Sequence, residues 1–336
     1  MHKFPARHLA LGSLVCLAAF GAQAQSNVKV YGLLDMSFGS SKAVGSTVSQ
    51  TSVDSGKMTT SYYGLAGSED LGGGLSAQFK VEGFLRADTG EQGRNNTDPQ
   101  FARAANIGLS HKDYGSLTMG RAANALYVTL LKFNAFGDSF GYSPTIRHYF
   151  GAGQAAVTGD NGWGDSVSYS SPTFSGFNFG AAWASSENAS GGQSNGHNWN
   201  VNASYAQGPW AAALVVHDVQ KDGTAAVQDT HTTHVSGSYD FGVAKVFLQY
   251  GKVENDTTSN DRKLTDLSVR VPAGKGAVIV AWGKNDPDTG AERKTTSFGY
   301  TYPLSKQTDL YAVGMHDKLT GSSSGYSYSA GMRLRF

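Results

Sequence analysis

Apolar and polar residues alternate along this chain with a period of two. Trp199, Val201, Ala203 and Tyr205 interleave with Asn198, Asn200, Asn202 and Ser204. Ala244, Val246, Leu248 and Tyr250 are set against Lys245, Gln249 and Gly251. The last residues repeat the pattern, with Tyr326, Tyr328, Ala330, Met332, Leu334 and Phe336 against Ser327, Ser329, Gly331, Arg333 and Arg335. Successive strand side chains point to opposite faces, so each such run predicts a strand with one apolar and one polar face. Sixteen strands can be drawn, near 28–39, 57–70, 75–87, 100–111, 116–123, 164–171, 177–187 and 197–207, then 210–219, 230–240, 243–253, 261–271, 276–286, 292–302, 309–317 and 325–336. Within 277–284 and 309–316 the alternation fits either facing.

A soluble sandwich also alternates, and three further features separate a membrane barrel from it. Aromatic residues gather near strand ends, as at Phe177, Trp183, Trp199, Tyr205, Trp210, Tyr250, Tyr300 and Tyr302, where interfacial girdles stand. The connections alternate in length. Short ones include Gly72-Gly73-Gly74, Asp113-Tyr114-Gly115, Gln207-Gly208-Pro209 and Asp240-Phe241-Gly242; long polar ones include 40–56, 88–99, 124–160, 188–196 and 254–260. The strand count is even, which puts both termini on the short-turn side. Only a closed barrel satisfies every backbone group in lipid, and sixteen strands leave a lumen too wide for side chains to fill. The expected fold is therefore all-β, a transmembrane antiparallel barrel of sixteen strands around an aqueous channel.

The first residues agree with export. Lys3 and Arg7 precede an apolar run from Leu9 to Phe20, and Ala22-Gln23-Ala24 follows as a cleavage site. This predicts a signal peptide over 1–24 and a barrel over 25–336, because the apolar run is too short to cross a bilayer. Cys16, the one cysteine, lies in the leader, so no disulfide holds the mature chain. Without Lys3 and Arg7, 25 basic side chains face 26 acidic ones, a balance that argues against a nucleic-acid partner. No mature stretch is apolar enough for a transmembrane helix.

Enzymatic chemistry finds little purchase. His148, His197, His217, His316 and the pair His231 and His234 are spread over different strands and loops, and no GxSxG, HExxH or Walker loop occurs. His231 and His234 are three apart, hence on opposite faces of one strand. Asp286-Pro287-Asp288-Thr289-Gly290 reads as a hairpin turn rather than a calcium loop. A non-enzymatic chain without metal or cofactor is expected.

Several segments resemble the general porins of β-proteobacteria, a trimeric sixteen-stranded family. They are Val30-Tyr31-Gly32-Leu33-Leu34-Asp35, the long Gly64-Leu65-Ala66-Gly67-Ser68-Glu69-Asp70-Leu71-Gly72-Gly73-Gly74-Leu75, and Phe79-Lys80-Val81-Glu82-Gly83-Phe84. Gly115-Ser116-Leu117-Thr118-Met119-Gly120-Arg121, Ser171-Pro172-Thr173-Phe174-Ser175-Gly176-Phe177, the stretch from Pro303 to Tyr311, and Gly331-Met332-Arg333-Leu334-Arg335-Phe336 follow in order. The resemblance implies passive passage of small polar solutes and ions, a homotrimer, and partners in outer-membrane lipid, lipopolysaccharide and the barrel-assembly machinery. It also implies that Phe336 is part of the assembly signal. The same pattern leaves open a solute-preferring porin and, in another class, a soluble or surface-anchored β adhesin. Detergent dependence and heat-sensitive gel mobility separate the last.

The resemblance further implies that the third external loop, 124–160, folds into the barrel and narrows it. Asp138 is its candidate acid, with Lys132 and Arg147 as candidate bases. On the wall, alternation turns Ser76, Gln78, Lys80, Glu82 and Phe84 inward, opposite lipid-facing Leu75, Ala77, Phe79 and Val81. A midplane charge on the lipid face would cost about 2–4 kcal/mol, so Lys80 and Glu82 belong in the lumen, where they could pair with each other. Family arginines that face the loop correspond to Arg103 and Arg121, although simple alternation with Ile107 and Leu109 would turn Arg103 outward. Tyr62 stands where relatives usually carry arginine, and another arginine is missing near Gly162. With Asp35, Glu82 and Asp138 retained as lumen acids, anion preference should be weaker than is usual in the family.

Overall fold

The computed structural model describes residues 27–151, 154–185, 197–220 and 228–336, with backbone alone for 155 and 156. The expected leader, 1–24, and the long loop at 188–196 lie outside them. The chain runs β1 (Asn27–Lys42), β2 (Gln50–Ser55), β3 (Tyr62–Gly72), β4 (Leu75–Arg86), β5 (Glu91–Gln92), β6 (Ala104–His111) and β7 (Gly115–Ala123). Three short helices follow, α1 (Ala125–Lys132), α2 (Pro144–Phe150) and α3 (Ala155–Thr158). Next come β8 (Gly162–Trp163), β9 (Ser166–Ser170), β10 (Phe177–Ala184), β11 (Asn198–Gln207), β12 (Trp210–Val219) and β13 (Thr230–Asp240). The wall ends with β14 (Lys245–Asn255), β15 (Arg262–Ala273), β16 (Gly276–Pro287), β17 (Arg293–Pro303), β18 (Thr308–Leu319) and β19 (Gly325–Arg335).

All pairings are antiparallel and form one closed sheet. β2 and β3 share one wall position, since β2 pairs with β1 along Met36–Ser41 and β3 pairs with it along Asn27–Leu33. With the two-residue β5 and β8 set aside, sixteen strands make the wall, as the alternation predicts. The seam closes where β1 pairs with β19, from Leu33 opposite Arg335 to Lys42 opposite Tyr326. Beyond β19, Phe336 and Gly32 exchange backbone hydrogen bonds of 3.1 and 3.2 Å. The Phe336 ring lies on Gly32, where an added Cβ would stand 2.6 Å from a ring carbon. Tight turns join strands at one rim. At Gly72-Gly73-Gly74 all three φ angles are positive (82°, 62° and 87°), a left-handed run that residues with a side chain rarely adopt.

Outer-face residues are apolar around the barrel, with Ile107 63%, Phe298 61% and Val30 71% exposed. Their strand neighbours face the lumen and are mostly polar or small, except where the segment 124–160 packs on apolar ones. The two open phases are thereby fixed: Val278, Val280 and Trp282 face out while Ala277, Ile279 and Ala281 face in. On β18, Leu310 faces out and Tyr311, Val313 and Met315 face in.

Three sequence expectations need correction. The strand drawn over 57–70 begins only at Tyr62, and residues 56–61 leave the wall. The cause is Asp35, whose Oδ2 accepts from the backbone N–H groups of Met58 and Thr59, both at 2.7 Å. The stretch 40–56, read as a loop, contains the end of β1 and all of β2. The segment 124–160, read as a loop, carries α1 to α3. Asn124 caps α1 by accepting from Tyr127 N at 2.9 Å, and Ser143 with Pro144 starts α2.

Candidate functional site

Two apolar clusters tie the segment 124–160 to the wall. Leu126, Leu130, Ile146 and Tyr149 pack with Val215, Val253 and Leu264. Phe136 and Tyr142 pack with Met58, Ile279, Tyr311 and Val313. Apart from Met58, which stands on the 56–61 excursion, these partners are wall positions that alternate with the apolar outer band, so the contacts lie on the inner face. The fully buried Leu126, Leu130 and Ile146 each contribute about 2 kcal/mol of hydrophobic stabilisation. Polar contacts add direction: Tyr142 Oη bonds Ser329 Oγ at 2.7 Å, Tyr149 Oη bonds His234 Nδ1 at 2.9 Å, and His148 Nε2 bonds Thr295 Oγ1 at 2.9 Å. The 56–61 excursion joins in, because Lys57 O accepts from Ser139 Oγ at 2.7 Å and from Gly141 N at 3.1 Å.

The charged residues gather beside this segment. Arg103 occupies the bend just before β6, which resolves its conflict with alternation: it is outside the strand, and its side chain turns to the inner face. Its Nε stands 3.2 Å from Glu82 Oε2 and its guanidinium lies 4.1 Å over the Tyr62 ring. Glu82 also accepts from Tyr31 Oη at 2.5 Å. Glu82 therefore serves Arg103 and Tyr31 rather than Lys80, which makes no ion pair among the described residues. Arg121 Nη2 donates to Asp160 at 2.5 Å, and its Nε donates to Ala102 O.

Asp138 Oδ1 accepts from Thr59 Oγ1 at 3.1 Å, and that hydroxyl accepts in turn from Arg333 Nη1 at 3.1 Å. Burial pushes the Asp138 carboxyl up from its ordinary value, with Arg103 and the Thr59 bond offsetting part of the rise. Arg147 reaches Asp317 at 3.3 Å. Lys132 ends α1 exposed and without an ion pair among the described residues, where its charge complements the helix C-terminus. The expected lumen acid Asp35 is fully buried, with Tyr311 Oη on its Oδ1 at 2.6 Å, so it is a structural staple rather than a source of field in the channel.

Several partners were not legible as site residues. Asp160 bridges Arg121 and Arg94, the latter at 3.2 Å. Arg94 also pairs with Asp98 at 2.8 Å and lies 5.0 Å over Phe84. Burial would raise the Asp98 carboxyl, but the Arg94 hydrogen bonds and charge outweigh it and hold it below the usual range. Asp317 is shared by Arg147 and Arg293, and Asp309 by Arg333 and Arg335, at 2.6 and 2.7 Å. Alternation does carry Arg333 and Arg335 inward, opposite Met332 and Leu334; nothing local signals the Arg94–Asp98 pair.

A closed wall of sixteen strands, with an apolar exterior and a charged, polar interior, encloses a transmembrane aqueous path. Residues 10–322 match the family model of Gram-negative porins. The chain belongs to the Gram-negative porin family. An outer membrane porin protein of Bordetella pertussis is 27% identical over 98% of this chain and 99% of its own length. Outer membrane porin protein 32 of Delftia acidovorans is 31% identical over 89% of this chain and 86% of its own. Among solved structures, an anion-selective porin from Comamonas acidovorans superposes with a TM-score of 0.79 at 26% identity, covering 93% of this chain and all of that one. A Vibrio cholerae outer membrane protein in a trimer form shares the fold, with a TM-score of 0.67 at 17% identity over 93% of this chain and 99% of that one. This porin is an outer-membrane protein whose water-filled channel passes small hydrophilic solutes and ions by passive diffusion.

Proposed function

We propose that this porin is a general diffusion channel whose constriction, made by the segment 124–160, is close to charge-neutral. The observation that carries the reading is the pairing of its cations. Around the lumen the guanidiniums of Arg94, Arg103, Arg121, Arg147, Arg293, Arg333 and Arg335 stand within ion-pair distance of the carboxylates of Glu82, Asp98, Asp160, Asp309 and Asp317, while Asp138 is held by the Thr59 hydroxyl and Asp35 by backbone amides and Tyr311. Lys80, Lys132, Lys245 and Arg262 are left without acid partners among the described residues, and Asp266 without a cation, which gives a small positive excess. Paired charges present a dipole to a passing ion, and dipolar fields fall off faster than those of single charges. The Comamonas relative is named anion-selective; here Tyr62 and the paired arginines favour a weaker preference of the same sign. Reversal potentials in a potassium chloride gradient across a planar bilayer test this. A chloride preference below threefold is expected, and strong anion selectivity or any cation preference refutes it.

The working form is a homotrimer, exported through the leader at 1–24 and inserted among lipid and lipopolysaccharide by the assembly machinery. Outer-face residues on the first and last strands support the trimer. Val28, Val30 and Phe38 are among the most exposed apolar side chains of the barrel, and Met332 and Leu334 continue the patch across the seam. Light scattering in mild detergent should give three times the mature mass; a monomeric mass overturns the assembly.

A further inference from the structure

We infer that the inner face of β9–β12, beneath α1, is a binding subsite for small neutral polyhydroxy solutes. The inference rests on the porin reading, because the subsite lies on the diffusion path. Its observations are independent of the arginine clusters.

A cavity opens there between α1 and the wall. Its inward side chains on three neighbouring strands are hydroxyls and amides: Ser168 and Ser170 on β9, Asn178 on β10, and Asn200, Asn202 and Ser204 on β11. Between them the floor is low. Register places Gly180 opposite Asn202 and Ala182 opposite Asn200, while Ser204 faces Ala213 on β12. Small residues between rows of longer polar ones make a trough. The trough needs that smallness, since a Cβ on Gly180 would meet Asn202 Oδ1 at 2.6 Å. Residues two apart on one strand stand about 7 Å from each other, so Asn200, Asn202 and Ser204 form a ladder along the direction of transit.

Asn200 supplies the second observation. It is 1% exposed and lines the cavity, yet neither its Nδ2 nor its Oδ1 has a hydrogen-bond partner. An amide carries two donor hydrogens and an acceptor oxygen, and leaving them unmet when buried is costly. A hydroxyl both donates and accepts, so an occupant rich in hydroxyls matches amides and serines on both counts. A simple anion could use only the donors. No acid lines the cavity, and the lysines that do, Lys132 and Lys245, come from the end of α1 and the start of β14. The Lys245 ammonium is drawn 5.3 Å over the Phe247 ring. The lumen thus has an arginine-rich region around Arg103, Arg121 and Arg333 and, apart from it, a trough whose floor on β9–β11 is uncharged and hydrogen-bonding, with Lys132 and Lys245 at its edge.

The test is single-channel recording of the full mature porin in planar bilayers with raffinose, with a polyethylene glycol of matching hydrodynamic size, and with gluconate. Raffinose should lower conductance saturably and add open-channel noise, while the glycol lowers it in proportion to bulk conductivity. In a variant joining Asn202→Ala with Ser204→Ala, the half-blocking concentration of raffinose should rise about tenfold, the loss of two ordinary hydrogen bonds. Heat-sensitive gel mobility and ohmic channels in salt alone establish that the variant folds. A second variant, Ala213→Leu, should fill the trough and abolish the saturable block. Raffinose behaving like the glycol, or block surviving both variants, overturns the subsite. Block confined to gluconate and lost in Lys132→Gln overturns its neutral chemistry. Absence of ohmic channels in salt alone would refute the porin reading instead.

Discussion

Replacing Glu82 by Gln should make this porin more anion-selective, by an amount that follows from the geometry of Arg103. The Glu82 carboxylate stands 3.2 Å from the Arg103 guanidinium and neutralises it. Glutamine keeps the shape and an acceptor for Tyr31 but removes the charge. The cation would stay in place, because Tyr62 lies 4.1 Å beneath it and Phe84 stands at 5.9 Å. An ion passing roughly 6 Å from an unpaired charge in water feels about 0.7 kcal/mol. Screening at 0.1 M salt reduces that to about 0.4 kcal/mol, since the Debye length is about 10 Å. Each ion then shifts about twofold, chloride up and potassium down, so their permeability ratio should rise about threefold to fourfold. Reversal potentials under a potassium chloride gradient measure this ratio, and Glu82→Asp, which keeps the charge, should leave it near wild type. The rise should fade in 1 M salt, where the Debye length is about 3 Å. An unchanged ratio, or a shift towards potassium, would mean that Arg103 and Glu82 do not face the permeating ions.

Deleting Phe336 removes the two backbone hydrogen bonds and the ring that close the seam on Gly32, so the yield of heat-modifiable barrel should fall severalfold at unchanged single-channel conductance. Unchanged yield with altered conductance would contradict it. Asp138, whose carboxyl is raised by burial, should take up its proton as pH falls while still above the ordinary aspartate value near 4. Protonation removes a negative charge, so chloride preference should rise with falling pH in that window. Asp138→Asn should carry the higher preference already at pH 7 and lose most of the rise; a rise equal to wild type assigns it to other groups.

The wall was legible because lipid imposes one rule on every strand. Ile107, Val201, Leu248 and Phe298 could face nowhere but outward, and their neighbours followed by parity. Legibility failed where the chain departs from the two-residue period. The stretch 57–61 reads as more strand, yet the buried Asp35 carboxylate holds the Met58 and Thr59 amides off the wall. Arg103 reads as outward by parity and turns inward because β6 has not yet begun. In 124–160 the helices are too short for a helical period to declare itself, and their stability comes from packing on Val215, Ile279 and Tyr311. The phases of β16 and β18 stayed open for the same reason: their inner faces are apolar because that segment covers them.

Parity assigns a charge to the lumen, but only the fold assigns it a partner. Asp35, Glu82 and Asp138 count alike in the sequence as lumen acids. In the barrel Asp35 is enclosed by two amides and a phenol, Glu82 is neutralised by Arg103, and Asp138 alone stands on the loop beside Thr59. Asp160, Asp309 and Asp317 each hold two arginines, and their partners lie 39 and 66, 24 and 26, and 170 and 24 residues away. At those separations no local pattern could announce them. Tyr62 follows the same logic. Where the resemblance implies an arginine, an aromatic face lies beneath Arg103, so the position adds no second cation beside Glu82. On the proposed reading selectivity follows from the number of cations without a partner rather than the number of cations, so a single carboxylate such as Glu82 should change it as surely as an added arginine.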